Sequence, residues 1–295
     1  MIGSGELNWT FQPHILLIIY KEGYAFENLG VFLKKSAEKQ VEWERIARRR
    51  LRSVLERHTI ATLRTLEQKI SDAGPNNQRV NPHILTTALK KMQKKEIILK
   101  KFHSNETITP WYYLPTTQEE KVSQRLEQQL PILKEIHKEA TKRRIGETLE
   151  IAVFRALLKQ KDHEFLGAFS DIDNPDKNQR YSKEDPPKYL NGKSIQGKKK
   201  LDFLIRHPEA GWAGIEIKNV REWLYPNRKE IKDLILKSVS LDVVPVLICR
   251  RIPYVSFLIL SQCGVIVHET YNQLYSEFDR ELAMKAKQKD LLGFR

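Results

Sequence analysis

Two short apolar runs joined by a turn constrain this chain more than anything else in it. Leu201-Asp202-Phe203-Leu204-Ile205 and Gly214-Ile215-Glu216-Ile217-Lys218-Asn219 read as strands, and the linking Arg206-His207-Pro208-Glu209-Ala210-Gly211-Trp212 supplies the Pro and Gly of a hairpin-type connection. Residues i and i+2 of a strand share a face, so Glu216 and Lys218 project together while Ile215 and Ile217 point into the protein. Folding the second run back beside the first brings Asp202 within reach of Glu216. Two adjacent carboxylates repel unless a hard cation lies between them, and such oxygen ligands suit Mg²⁺ or Mn²⁺. A lysine beside that cation can orient or deprotonate a water and hold the charge that builds on a phosphate. Taken alone, Glu216-x-Lys218 reads as a solvated ion pair worth under about 1 kcal/mol rather than as a site. Its surroundings decide.

Upstream, residues 144–158 carry apolar side chains at three- and four-residue spacing, which predicts a helix. Glu150 stands four positions after Gly146 on it, and Glu147, one turn earlier, is the weaker acidic candidate. This order of helix with Gly-x-x-x-Glu, acidic strand, turn and Glu-x-Lys strand resembles the PD-(D/E)XK, or restriction-endonuclease-like, nuclease superfamily, and its helix resembles the resolvase-like and Mrr-like members. Leu201 stands where the named proline would be. The resemblance covers residues 140–295. It implies metal-dependent hydrolysis of DNA phosphodiester bonds. Asp202 and Glu216 would bind one or two Mg²⁺ ions, for which Mn²⁺ substitutes, with the Ile217 carbonyl as a further ligand. Glu150 would complete the site, Lys218 would position the water, and Asn219 and Arg221 would touch the flanking phosphate.

The rest of this half predicts an α/β core. A helix is expected over residues 227–240, with Ile231, Leu234, Ile235 and Val239 on one face and lysines opposite. Residues 243–249 form a buried strand whose pairing should begin at Val246, because Pro245 lacks a ladder donor. A short helix over 254–262, a strand over 265–267 and a covering helix over 271–287 follow. Strands alternating with helices imply parallel crossovers. With the resemblance, this becomes a restriction-endonuclease-like mixed sheet flanked by helices.

The N-terminal part is mainly helical, with helices expected over residues 11–20, 27–36 and 41–55 and a further one over 59–70. After a break at 71–77, Asn81 suits an N-cap and Pro82 the first helical position. That helix turns Ile84, Leu85, Ala88, Leu89 and Met92 inward and Lys90, Lys91, Lys94 and Lys95 outward; strands over 97–102 and 109–114 follow. The pattern resembles a winged helix-turn-helix, a form that also serves protein–protein contacts. It implies a helix in the major groove of duplex DNA, contacting it through Lys90, Lys91 and Lys94. Charge favours a polyanion: residues 1–118 hold 19 Lys and Arg against 11 Asp and Glu, or +8, leaving +6 of the net +14 for the remainder. The division expected is a DNA-binding domain over 1–118, a helical connector over 119–143 interrupted at Pro131, and a nuclease domain over 144–295.

The polar tract 171–200 reads as a mobile surface loop, or as a DNA-contacting insertion at the edge of the site. Its Gly192-Lys193-Ser194 is no phosphate loop, since Pro187 stands where the first glycine is required. Two cysteines offer no disulfide framework, no apolar run approaches the ~20 residues of a membrane span, and no signal peptide is apparent, which together point to the cytoplasm. His207 and His268 are candidates for a place near the proposed site, although a lone histidine is more often structural. A homodimer or a partner protein is compatible with the sequence. Two further readings stand beside a duplex-directed, restriction-type endonuclease. One is a partner-dependent subunit of a DNA-processing or transposition machine, the other a non-catalytic DNA-binding protein with a nuclease-like fold.

Overall fold

The hairpin of residues 203–218 lies at the heart of a five-stranded mixed sheet. The structure is a computed structural model that describes residues 37–294 except 73–78, 103–108, 161–162, 171, 173–174, 177–178 and 198. The helices expected over 11–20 and 27–36 lie outside the described residues. Among those described, no helix is long and apolar enough to cross a membrane.

The N-terminal part runs α1 (Ala37–His58), β1 (Ile60–Thr62), α2 (Leu63–Ile70), α3 (Pro82–Lys94), β2 (Leu99–Lys101) and β3 (Trp111–Tyr113). The three strands form an antiparallel sheet in the order β1-β3-β2. The helix expected over 59–70 therefore begins late. Thr59 takes a positive φ, Ile60 and Ala61 are sealed in the core against β3, and the Thr62 hydroxyl caps α2 by accepting from the Thr65 amide at 3.2 Å. Asn81 caps α3 as its sequence predicts, accepting from the His83 amide at 3.3 Å.

Next come α4 (Glu119–His137) and α5 (Glu139–Leu157), joined through the extended Lys138. Pro131 does not interrupt α4: its ring sits on the exposed side of the helix.

The large sheet has the order β12-β11-β10-β9-β4, with β4 Glu164–Leu166, β9 Phe203–His207, β10 Gly211–Lys218, β11 Val244–Cys249 and β12 Ile266–Glu269. β4, β9 and β10 run antiparallel; β10, β11 and β12 run parallel, linked by α6 (Lys229–Leu241) and α7 (Tyr254–Gln262). Pro245 does pair, with Gly214 of β10. It is tolerated because the ladder to β12 starts only at Val246, so the missing N–H leaves no partner stranded on that side. The covering segment is shorter than expected: a 3₁₀ turn at Glu277–Asp279, then α8 (Arg280–Lys287).

The tract 171–200 is no featureless loop. Its described residues hold β6 (Ser182–Glu184), which pairs antiparallel with β5 (Ala168–Ser170) just before the tract, and a small hairpin of β7 (Tyr189–Leu190) with β8 (Lys193–Ser194).

The two halves share a core. Ile60 and Trp111 cluster with Leu126 and Leu133 of α4 and with Ala286, Leu292 and Phe294 near the C-terminus. Gln129 stitches the same place, accepting from the Trp111 indole at 3.0 Å and donating to the Leu291 carbonyl at 3.2 Å. Asp72 forms a buried ion pair with Arg250 at 2.8 Å.

Candidate functional site

β9 and β10 are placed by shape as well as by hydrogen bonds. Leu201 packs over Gly214 so closely that a Cβ there would meet it at 2.7 Å, which is why the second run opens on glycine. The ladder continues one residue past β9, where the Asp202 amide donates to the Ile215 carbonyl at 2.9 Å. The Asp202 carboxylate then takes the next ladder position, accepting from the Ile217 amide at 2.6 Å.

Alternation along β10 holds as expected, but both faces are covered. Ile215 and Ile217 join Leu149 and Phe154 of α5, while Glu216 points to the other side and is 6% exposed. A carboxylate so buried requires partners. It has two: Lys218 lies 2.7 Å from Oε1, and Lys237 of α6 bonds Oε2. Lys218 also approaches Asp202 to 4.0 Å. From β6, Lys183 reaches both Glu150 (2.6 Å) and Asp202 (3.2 Å). Glu150, Asp202, Glu216 and Lys218, expected from sequence to form one centre, are thus linked through lysine bridges. Glu147 instead lies against Arg143 at 3.5 Å.

The cluster balances three carboxylates with three ammonium groups, and its electrostatics follow. Burial raises the Glu150 carboxyl above its ordinary range, and the nearby Asp202 charge adds to the effect. For Lys218 burial works against the charge, but Glu216 and Asp202 outweigh it and hold the ammonium above its usual range. Lys183 is held charged in the same way by Asp202 and Glu150. A lysine stabilised as a cation serves to orient water and steady negative charge rather than to remove a proton.

Among the described residues, no three or more His, Cys, Asp or Glu side chains gather closely enough to hold a metal ion. Two carboxylates do share a cation-sized point, since a single Lys183 Nζ touches Glu150 and Asp202. The donors there are hard carboxylate oxygens, which fit Mg²⁺ or Mn²⁺.

Two sequence expectations need correction. Asn219 does not face a phosphate: it is 4% exposed, donates to the Ile145 and Leu274 carbonyls at 2.5 and 2.8 Å, and accepts from the Leu274 amide at 3.1 Å. Arg221 is buried too, stacked over Phe294 at 4.6 Å, with its carbonyl taken by Arg250. Both are latches between the sheet and neighbouring segments. His207 stays structural, its Nδ1 accepting from the Glu209 and Ala210 amides that close the hairpin, and His268 is exposed on the edge strand β12.

Lys183 and Lys237 were not read as site residues. Lys237 had a signal, because it falls three residues after buried Leu234 and four before buried Leu241, on the inward face of α6. Lys183 had none, lying in a polar tract without period.

On the N-terminal part, Lys90, Lys91 and Lys94 are exposed on α3, and Lys91 pairs with Glu44 of α1 at 2.7 Å. Beside them, a groove of about 400 Å³ between α1 and α3 is lined by Arg48, Arg49, Arg52, Lys91 and Lys95. Comparison with protein-family models, with curated proteins and with solved structures finds no match for this chain.

Proposed function

We propose that this protein is a Mg²⁺-dependent endodeoxyribonuclease that hydrolyses phosphodiester bonds in duplex DNA. We read its C-terminal half as a restriction-endonuclease-like domain and residues 37–118 as part of a winged-helix DNA-binding module. One observation carries the reading: Glu150 from a helix, and Asp202, Glu216 and Lys218 from two adjacent strands, meet in a single connected set of contacts. Glu150 is far from the other three in sequence, and a surface Glu-x-Lys ion pair needs neither it nor Asp202.

Glu150 and Asp202 would hold the ion, with Glu216 and the Ile217 carbonyl beside them. Bound there, a divalent ion supplies Lewis-acid polarisation of the phosphate and of the attacking water. The chain's own residues do the rest. The Ile217 amide fixes the Asp202 carboxylate, Glu216 aims Lys218, and the Lys218 ammonium orients the water and offsets charge building on the phosphate. Basic residues on α3 and in the α1–α3 groove supply sequence-independent attraction to the backbone of DNA. Two free cysteines, one sealed in β11, accord with a reducing cytoplasm.

A second reading has its own support. The three lysines neutralise the three carboxylates, as they would in a nuclease-like fold that binds DNA without cutting it. Supercoiled plasmid incubated with the purified chain and Mg²⁺ separates the two. The proposal predicts nicking that EDTA stops. Asp202→Asn, which keeps an acceptor for the Ile217 amide, and Lys218→Met should each slow it by ~100-fold or more while duplex binding persists. Undiminished cleavage by either variant would sink the assignment, and binding without any cleavage favours the second reading.

A further inference from the structure

Lys183 enters the site from outside the motif, and its place is built rather than incidental. It sits opposite Phe169 in the β5–β6 hairpin, and its Nζ lies 5.7 Å from the ring centre of Phe169 and 5.4 Å from that of Phe203. The root of the hairpin is fixed against the acidic strand. Gly167 has φ +102°, and a Cβ there would meet Phe203 at 3.0 Å and the Asp202 carbonyl at 3.1 Å. Phe203 stacks on Phe154 of α5 at 6.2 Å, which ties the hairpin to the helix that carries Glu150. With 19% of the Lys183 side chain exposed, the ammonium is shielded yet within reach of solvent.

Its target is the pair of carboxylates that share one cation-sized point. An ammonium and a divalent ion cannot both occupy that point, since each needs the same oxygens at contact distance. The geometry points to Lys183 as a positioning residue of this site: an internal counter-ion that holds Glu150 and Asp202 together until a divalent ion replaces it. This inference rests on the metal-dependent reading above and extends it to a residue that the nuclease motif does not contain. Exchange needs only rotation of the lysine's flexible stem, because the hairpin root is pinned. The ion therefore binds in competition with the chain's own cation.

Calorimetric titration of the full chain with Mn²⁺ at pH 8, which favours ionised carboxylates, tests this without reference to cleavage. Lys183→Gln removes the competitor and keeps the stem, and it should bind Mn²⁺ at least ~10-fold more tightly than wild type. Lys183→Arg keeps the competitor and should bind no more tightly. Melting gives a second readout. In EDTA Lys183→Gln should melt below wild type, because two half-buried carboxylates lose their shared partner, and saturating Mn²⁺ should raise its Tm by more than it raises that of wild type. Unchanged or weaker binding by Lys183→Gln, or an equal rise in Tm, overturns the proposal. Asp202→Asn separates the two failures. If it abolishes binding while Lys183→Gln matches wild type, only the counter-ion role falls; if it also binds as wild type does, the metal reading falls with it.

Discussion

Two regions of this molecule bury carboxylates among cations, and they do so with different chemistry. At the junction of the two halves, Asp72 meets Arg250 at 2.8 Å and Arg251 at 3.4 Å. Arg250 is fully buried and also donates to the Arg221 carbonyl, while Arg251 stacks on Trp223 and Tyr271. At the sheet, Glu150, Asp202 and Glu216 meet Lys183, Lys218 and Lys237. Arginine is a planar fork that carbonyls and rings hold in one orientation. Lysine is a point charge on a flexible stem, easily exchanged for another cation. The first cluster has the form of a clamp; under the proposed function, the second would be a set of oxygen donors with removable partners.

The largest effect is expected at the clamp. Arg250→Met leaves Asp72 buried with only the more distant Arg251, and should cost roughly 3–5 kcal/mol in urea-induced unfolding. Adding Asp72→Leu should recover much of that loss, since an apolar pair leaves no stranded charge. A loss under about 1 kcal/mol for the single variant would place this cluster with ordinary exposed ion pairs. The proposed DNA binding gives a smaller expected effect. Lys90 and Lys94 are exposed, whereas Lys91 is already engaged by Glu44. The double variant Lys90→Ala/Lys94→Ala should lower the slope of log affinity against log salt by about 2, and Lys91→Ala by less than about 1. Equal effects from all three positions would mean that DNA displaces Glu44.

Legibility in the sequence followed the same divide. Elements whose ends carry turn or cap residues could be read closely: residues 254–262, bounded by Pro253 and Gly264, form the helix expected, and Asn81-Pro82 opens α3. β1 escaped because three residues between two helices establish no period, and their strand identity comes from β3. The motif residues Asp202, Glu216 and Lys218 were legible because hairpin and strand geometry oblige them to meet. Asn219 and Arg221 misled because closeness in sequence to a motif does not fix the direction in which a side chain points. Lys183 was hidden for a complementary reason. Only the pairing of Phe169 with Lys183, across an irregular polar stretch, delivers it to Glu150 and Asp202.

The claim that one cluster serves an ion and the other serves the fold is tested most directly by Mn²⁺ titration of wild type beside Asp202→Asn and Asp72→Asn. Asp202→Asn should weaken binding at least ~10-fold, while Asp72→Asn should lower the melting temperature and leave the affinity unchanged. Equal Mn²⁺ affinity in wild type and Asp202→Asn would contradict it.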